Sequence, residues 1–338
     1  MNSVKTSKVL LMRKSGTFAS VILAVSMLAS CSIFPTGKQG QLKSQSQIEH
    51  EAMEQFEDIF LEALKDKDSD KIIDCFSEQS RQRTDDFDEG CEYIFELYNG
   101  NDNLEVIENN VSSYRVIGSN GFWSAKCYCK IEAGDEVYFL RWTMAIDEDA
   151  DPVRYELDAL RFEKYDDYTA LKNDDELFYM ANFYNLVTGI YHPGRDIWNK
   201  VLHGADLIRL YGQEPPYSAG QNIPYDQITT PSIEEAEEMG LCFSDELSDP
   251  SYNDAKRYVF LFLMSGYNNM GSMWVRTEGE EYALYCNARL GEDYGILGIG
   301  LDCSGKIKGF VFELGAENMT GIPEGISGFD SIAEAIEG

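Results

Sequence analysis

The spacing of apolar residues changes near residue 100, and this change constrains the fold more than any other feature of the sequence. Before it, apolar residues recur at helical spacing in three segments, 47–65, 68–76 and 86–98. After it, apolar and polar residues alternate, so that within 122–133 Trp123 and Ile131 fall on one face and Lys126 on the other. Helices followed by antiparallel strands with short turns predict an α+β fold, in which helices pack on a curved antiparallel sheet.

Four long strands are predicted in this region, at residues 104–117, 122–133, 136–146 and 154–165. The order of helices and strands over residues 47–170 resembles the nuclear-transport-factor-2-like fold, also described as cystatin-like, in which a curved sheet wraps over helices to form a cone. Residues 56–77, FEDIFLEALKDKDSDKIIDCFS, are similar to a domain family of unknown function in lipoproteins of Gram-positive bacteria. That resemblance implies an extracytoplasmic, lipid-anchored protein, and the family brings no known catalytic residues to transfer.

The second half of the chain repeats the order of helices followed by strands. Helices are predicted at 175–191, 195–211, 230–240 and 330–336, and strands at 256–265, 272–277, 282–289, 295–301 and 306–314. The sequence therefore predicts two domains, a cone-shaped one at residues 47–170 and a second α+β domain at residues 171–338. A diverged copy of the first domain is an alternative for the second that the sequence leaves open.

The N-terminal segment predicts export and a lipid anchor. Residues 1–14 contain four basic residues and no acidic one, and the apolar run that follows at 18–29 is shorter than the ~20 residues needed to span a bilayer. The run ends in LASC at residues 28–31, which resembles the lipobox of bacterial lipoproteins. The resemblance implies that a signal peptide of residues 1–30 is removed and that Cys31 is acylated. A plain secretory signal and an uncleaved anchor are the alternatives.

The net charge of the chain restricts the classes of partner that it can bind. The chain has 28 basic and 59 acidic side chains and a net charge of −31, so its surface repels nucleic acid and anionic lipid headgroups. Membrane attachment then rests on the lipid at Cys31, with residues 31–46 as a flexible tether. Motifs for cofactors and metals are missing, so we expect neither, and we expect a small molecule or a cell-envelope protein as partner.

Seven cysteines follow Cys31. Cys127 and Cys129 are two residues apart on a predicted strand and face the same side, which favours small buried residues over a disulfide. Two pairs could meet across neighbouring elements, and the spacing leaves this open: Cys75 with Cys91, and Cys286 with Cys303.

An acidic segment at residues 147–158 has the spacing of an EF-hand calcium loop, with aspartates at the first, third, fifth and twelfth positions. Pro152 stands where that loop needs glycine, and both flanks are predicted strands. We therefore favour a solvated hairpin turn, with weak calcium binding as the alternative.

Two groups of side chains are candidates for ligand binding. His192 could act as a base and Arg195 as an anion clamp, although a plain turn containing Pro193 and Gly194 is the interpretation we favour. Aromatic residues of the predicted cone either line a pocket on its concave face or fill it as core: Trp123, Tyr138, Trp142 and Tyr155.

These observations favour a binding or interaction protein over an enzyme. Three scattered histidines leave carboxylates as the available bases, and the carboxylates fall mostly at turns and outward positions. We therefore expect no catalytic residues and no paired carboxylates deep in a main pocket. A hydrolase-like enzyme that uses carboxylates or His192 is the alternative, and a structural role in the envelope is a third interpretation.

Overall fold

A computed structural model describes residues 44–98, 100, 103–114, 122–147, 153–173, 187–210, 231–253, 255–257, 259, 273–290, 293–319 and 321–327. Residues 45–338 form one compact unit, and its described part contains two five-stranded sheets with helices, which confirms the α+β class. The predicted signal peptide, Cys31 and most of the tether lie outside the described residues. Among those residues no helix combines the length and apolarity needed to cross a membrane.

The α-helices with described bounds are α1 Gln45–Asp66, α2 Ser69–Ile73, α3 Glu78–Arg83, α4 Phe87–Leu97, α5 Tyr165–Asn173, α6 Asp196–Leu210 and α7 Ile233–Glu238. The predicted helices at 47–65, 86–98, 195–211 and 230–240 are confirmed, with shifts of a few residues at their ends. Short polar helix α3 was not predicted. Its N-cap is Ser77, whose side chain accepts a hydrogen bond from the backbone N–H of Ser80 (3.0 Å).

The first sheet has the strand order β1-β2-β3-β4-β5, with β1 Leu104–Tyr114, β2 Phe122–Ala133, β3 Glu136–Asp147, β4 Arg154–Lys164 and β5 Gly189–Ile190. Strands β1 to β4 form the predicted antiparallel meander. Asp147 of β3 pairs with Arg154 of β4, so the acidic segment connects a hairpin as expected, while residues 148–152 lie outside the described part.

Strand β5 corrects the predicted helix at 175–191. None of its described residues, 187–191, is helical: Gly189 and Ile190 form a strand, and Ile190 pairs in parallel with Leu160 of β4. The backbone N–H of Tyr191 donates to the carbonyl of Leu160 (2.8 Å), and Ile190 is completely buried. Burial against β4 and α4 therefore decides this conformation.

The second sheet has the order β10-β9-β8-β7-β6, with β6 Met273–Glu278, β7 Glu281–Leu290, β8 Asp293–Leu301, β9 Ile307–Leu314 and β10 Ile326–Ser327. Four of its strands match predicted ones. The predicted strand at 256–265 is wrong over its described residues, 256, 257 and 259, which are helical. Ala255 and Val259, four residues apart, are both buried, as on one face of a helix.

The two sheets share one topology. Each has four antiparallel strands in chain order and a two-residue fifth strand parallel to the fourth. This similarity agrees with a diverged copy, which stays a hypothesis. The boundary between residues 170 and 171 also stays a prediction, and β5, from the later segment, completes the first sheet.

Edge strand β6 of the second sheet contacts α3 and the residues that follow it. The backbone N–H of Thr277 donates to Oδ2 of Asp85 (3.0 Å), and Nη2 of Arg276 donates to the carbonyl of Gln82 (2.6 Å). The N–H of Thr188, next to β5, donates to the carbonyl of Met273 (2.6 Å). On the other side, Phe76, two residues before α3, forms a β-bridge with Leu157 of β4, so α3 lies between the sheets.

Candidate functional site

Two adjoining cavities lie along α3, with volumes of about 210 Å³ and about 810 Å³. They share four lining residues, Ser77, Gln79, Arg83 and Glu156. We refer to the two cavities together as the α3 cleft. Because α3 lies between the sheets, both sheets contribute walls.

The first sheet forms one wall of the smaller cavity. Ser124, Ala145 and Glu156 are opposite one another on β2, β3 and β4, so their side chains share a face of the sheet. Asp158 enters through a β-bulge, because Thr143 pairs with Ala159 whereas the next residue of β3 pairs with Leu157. The bulge leaves Asp158 as an extra residue on β4 and directs its side chain to the cavity that it lines.

The second sheet contributes the opposite wall. Trp274 of β6 lines the smaller cavity. Asn287 of β7 and the residues that follow β9, among them Glu317 and Asn318, line the larger one. The cleft is therefore lined mostly by hydroxyl, amide and carboxylate side chains.

Arg83 is the cation that lines both cavities. Its guanidinium stacks on the Trp274 ring, with Cζ 4.4 Å from the centroid. Nε donates to Oδ1 of Asn318 (3.1 Å), and Nη2 donates to the carbonyl of Glu317 (2.7 Å). Only 8% of Arg83 is exposed, and burial lowers the pKa of its guanidinium, while the nearby Glu317 carboxylate acts in the opposite direction.

The four aromatic candidates lie in or against the core of the first sheet. Trp142 packs on Phe56 of α1, with ring centroids 5.1 Å apart, and half-buried Tyr155 approaches the same ring at 6.3 Å. Tyr138 stacks on a phenylalanine of β4 at 5.0 Å, and Trp123 is buried. Helix α1 thus packs on the face of the first sheet where these aromatic residues could have lined a pocket. A ligand role for them remains a prediction.

His192 and Arg195 are brought together on one carboxylate, that of Asp86. Nε2 of His192 is 2.9 Å from Oδ2 of Asp86, and Nε of Arg195 donates to the same oxygen at 2.8 Å. Arg195 also donates to the carbonyls of Val187 and Thr188. Burial opposes ionisation of Asp86. The charge of Arg195 and the hydrogen bonds of His192 and Arg195 with the Asp86 carboxylate outweigh burial and lower the pKa of Asp86 to about 2. The cluster joins the start of α4 to the segment around β5.

The seven cysteines after Cys31 are free thiols, and all lie in the described part of the chain. Cys127 and Cys129 are buried in the core of the first sheet. Burial raises the pKa of both thiols. Within the described residues, no three His, Cys, Asp or Glu side chains are grouped so that they could hold a metal ion.

Sequence reasoning missed the α3 cleft. Arg83, Glu156 and Trp274 are far apart in the chain and form no motif. The available signal was weak: Leu157 and Asp158 interrupt the alternation of β4, as a bulge does. Glu156 and Asp158 also place two carboxylates at one cavity, although Glu156 is exposed at its margin.

Comparisons with known proteins leave the function open. Residues 59–167 match the model of a domain of unknown function (DUF5104). Among solved structures, a cystatin-like protein from Ruminococcus gnavus ATCC 29149 is similar at 11% identity and a TM-score of 0.24, covering 78% of this chain and 88% of that one. Comparison with curated proteins gives no match.

Proposed function

We propose that this chain is a lipid-anchored, extracytoplasmic binding protein whose ligand site is the α3 cleft. The observation that carries the proposal is that two adjoining cavities share one buried guanidinium, from Arg83, and one carboxylate, from Glu156. A few polar groups that converge on a cavity are what orients a small ligand in binding sites. The membrane location is supported by the basic start, the apolar run and the LASC sequence of residues 1–31.

Binding is favoured over hydrolysis. In the alternative, His192 or a carboxylate would act as the base, but Nε2 of His192 is bonded to Asp86, which also holds Arg195. His192 is therefore engaged in the contact between α4 and the β5 segment. Glu156 is exposed at the margin of the cleft, where water solvates its charge.

Thermal unfolding of the full-length protein in detergent tests the proposal. The protein is screened against amino acids, sugars, diamines and dicarboxylates, because a ligand that binds the native state raises the melting temperature. At a concentration of ~100 Kd we expect an increase of about 4 °C.

A cavity-filling variant locates the binding site. Ala145→Phe enlarges a half-buried side chain that lines the smaller cavity, so we expect it to abolish the ligand-induced increase. Ser112→Phe makes a similar enlargement at an exposed position of β1 and should leave the increase unchanged. The proposal is wrong if no compound raises the melting temperature, or if Ala145→Phe responds like the native protein.

A further inference from the structure

We propose that the ligand of the α3 cleft is a small zwitterion that carries a carboxylate and an ammonium group, as a free amino acid does. This inference rests on the proposed function and adds the chemical class of the ligand. In the arrangement we infer, Arg83 binds the carboxylate, while Glu156 and Asp158 bind the ammonium group.

Arg83 can still take an anionic partner, because its hydrogen bonds to the described residues leave one guanidinium nitrogen unused. It forms no salt bridge with any of their carboxylates, although it is more than nine-tenths buried. Its bonded nitrogens, Nε and Nη2, use neutral oxygens of Asn318 and Glu317, and within the described residues Nη1 has no acceptor. Burying this charge is costly, and the nearby Glu317 carboxylate offsets the cost only in part. A ligand carboxylate in the cavity that Arg83 lines would offset more of it.

The carboxylates of Glu156 and Asp158 supply the opposite charge in the same small cavity. Glu156 has no salt bridge among the described residues, and it lines both cavities beside Arg83. Oδ1 of Asp158 accepts a hydrogen bond from Oγ1 of Thr188 (2.9 Å), which fixes the carboxylate on its bulge. Both acidic residues belong to β4, whereas Arg83 ends α3, so the two charges reach the cavity from different elements.

The mixed charge of the cavity selects among ligand classes. A diamine would meet the carboxylates but would be repelled by Arg83, and a simple anion would meet Arg83 but would be repelled by the carboxylates. A neutral sugar would not supply the charge-assisted hydrogen bond that Arg83 can still make. A zwitterion satisfies both sets of groups at once.

The size of the site sets the size of the ligand. The cavity that contains all three charged groups has a volume of about 210 Å³. Sites for drug-sized molecules have volumes of roughly 300–1,000 Å³, so the charged part of the ligand is smaller than such a molecule. The adjoining cavity is lined by amides and carboxylates, among them Gln82 and Asn287, and has room for a polar side chain.

Calorimetric titration of the full-length protein in detergent tests this inference. The probes are the twenty L-amino acids, each titrated separately. For the tightest of them, the N-acetyl derivative lacks the ammonium charge and the amide derivative lacks the carboxylate. We expect each derivative to bind about tenfold or more weakly than the parent amino acid, because each loses a charged hydrogen bond.

Variants assign the two charges to residues. Arg83→Gln should weaken binding of the parent amino acid about tenfold or more, and this variant should bind the parent and its amide equally well. Glu156→Gln should bind the parent and its N-acetyl derivative equally well. Arg81→Gln is the matched control, because Arg81 is on the same helix and pairs with Asp74 instead of lining the cleft. Glu156 is exposed, so its variant gives a reading even where Arg83→Gln unfolds.

The outcomes separate this inference from the proposed function. One outcome is that no amino acid binds, but a neutral sugar, a diamine or a simple anion does, and that Ala145→Phe abolishes this binding. In that case the zwitterion inference is wrong and the proposed function stands. If an amino acid binds equally well to the native protein, Arg83→Gln and Glu156→Gln, the residue assignment is overturned. If none of these compounds binds, both proposals fail.

Discussion

Glu57 on α1 is a carboxyl group buried where the helix packs on β1 and β2, and only 6% of the residue is exposed. Its Oε2 accepts a hydrogen bond from Nδ2 of Asn109 (3.2 Å), while Oε1 has no partner among the described residues. Burial raises the pKa of Glu57 from 4.5 to about 7, against the smaller opposite effect of the Asn109 hydrogen bond. Below about pH 7, the folded protein therefore favours the neutral, protonated form of Glu57.

Glu57→Gln should change the pH dependence of stability. The native state holds this proton more tightly than the unfolded chain, so ionisation of Glu57 lowers the free energy of unfolding as the pH rises from 4.5 to about 7. Above that pH the penalty is constant, and we expect the variant to be more stable than the native protein by about 2–3 kcal/mol. Below pH 4.5 the advantage disappears. Urea denaturation across this pH range measures the difference.

The control for this prediction is Glu92→Gln, at an exposed position of α4 that is not among the charges acting on Glu57. We expect its stability to stay within about 0.5 kcal/mol of the native protein at every pH. A constant difference between Glu57→Gln and the native protein from acidic to alkaline pH would contradict the assignment of the titration to Glu57.

At the scale of elements, α4 packs so closely on β5 that a glycine is required at the contact. A Cβ atom at Gly90 would lie 2.5 Å from Cβ of Ile190 and 2.9 Å from its carbonyl oxygen. Neither of those atoms is at the flexible end of a side chain, so the helix or the strand would have to move. The contact lies in the same helix-to-strand junction as the Asp86–Arg195 pair.

We predict that Gly90→Ala destabilises the protein, although alanine is the better helix former. Helix propensity favours alanine by about 1 kcal/mol, whereas overpacking at a buried contact typically costs about 1–3 kcal/mol. Because the clash includes the backbone of β5, we expect a net loss of about 1–2 kcal/mol in the free energy of unfolding. Glu89→Ala, at the exposed neighbouring position, should not lose stability. Equal or greater stability of Gly90→Ala in chemical denaturation would refute the close contact.

At the scale of the whole molecule, membrane attachment in our proposal depends on the thiol of Cys31. We predict that Cys31→Ser is recovered from the medium or as an uncleaved precursor, because serine cannot carry the thioether-linked lipid. Fractionation of cells and metabolic labelling with palmitate measure location and acylation.

Cys303→Ser is the control for the anchor, since Cys303 is an exposed free thiol in the folded part of the chain. This variant should stay acylated and in the membrane fraction. Mature, membrane-bound Cys31→Ser protein would exclude Cys31 as the anchor.

The sequence by itself determined the elements with a strong period. Strands β2 and β3 lie within one residue of their predicted bounds, and α1 was placed within two residues. These elements are long, and each buries one face. Burial of one face requires apolar residues at a regular spacing, and this spacing can be read directly from the local sequence.

Tertiary structure decided the short elements and the candidate site. Strand β5 has two residues, too few for any period, and its extended form comes from pairing with β4 and packing on α4. The α3 cleft joins Arg83, Glu156 and Trp274, which only the packing of α3 between two sheets brings to one cavity. Local sequence encodes the pattern of burial within one element. The packing of elements decides which distant side chains share a cavity, and the spacing of residues along the chain does not encode this packing.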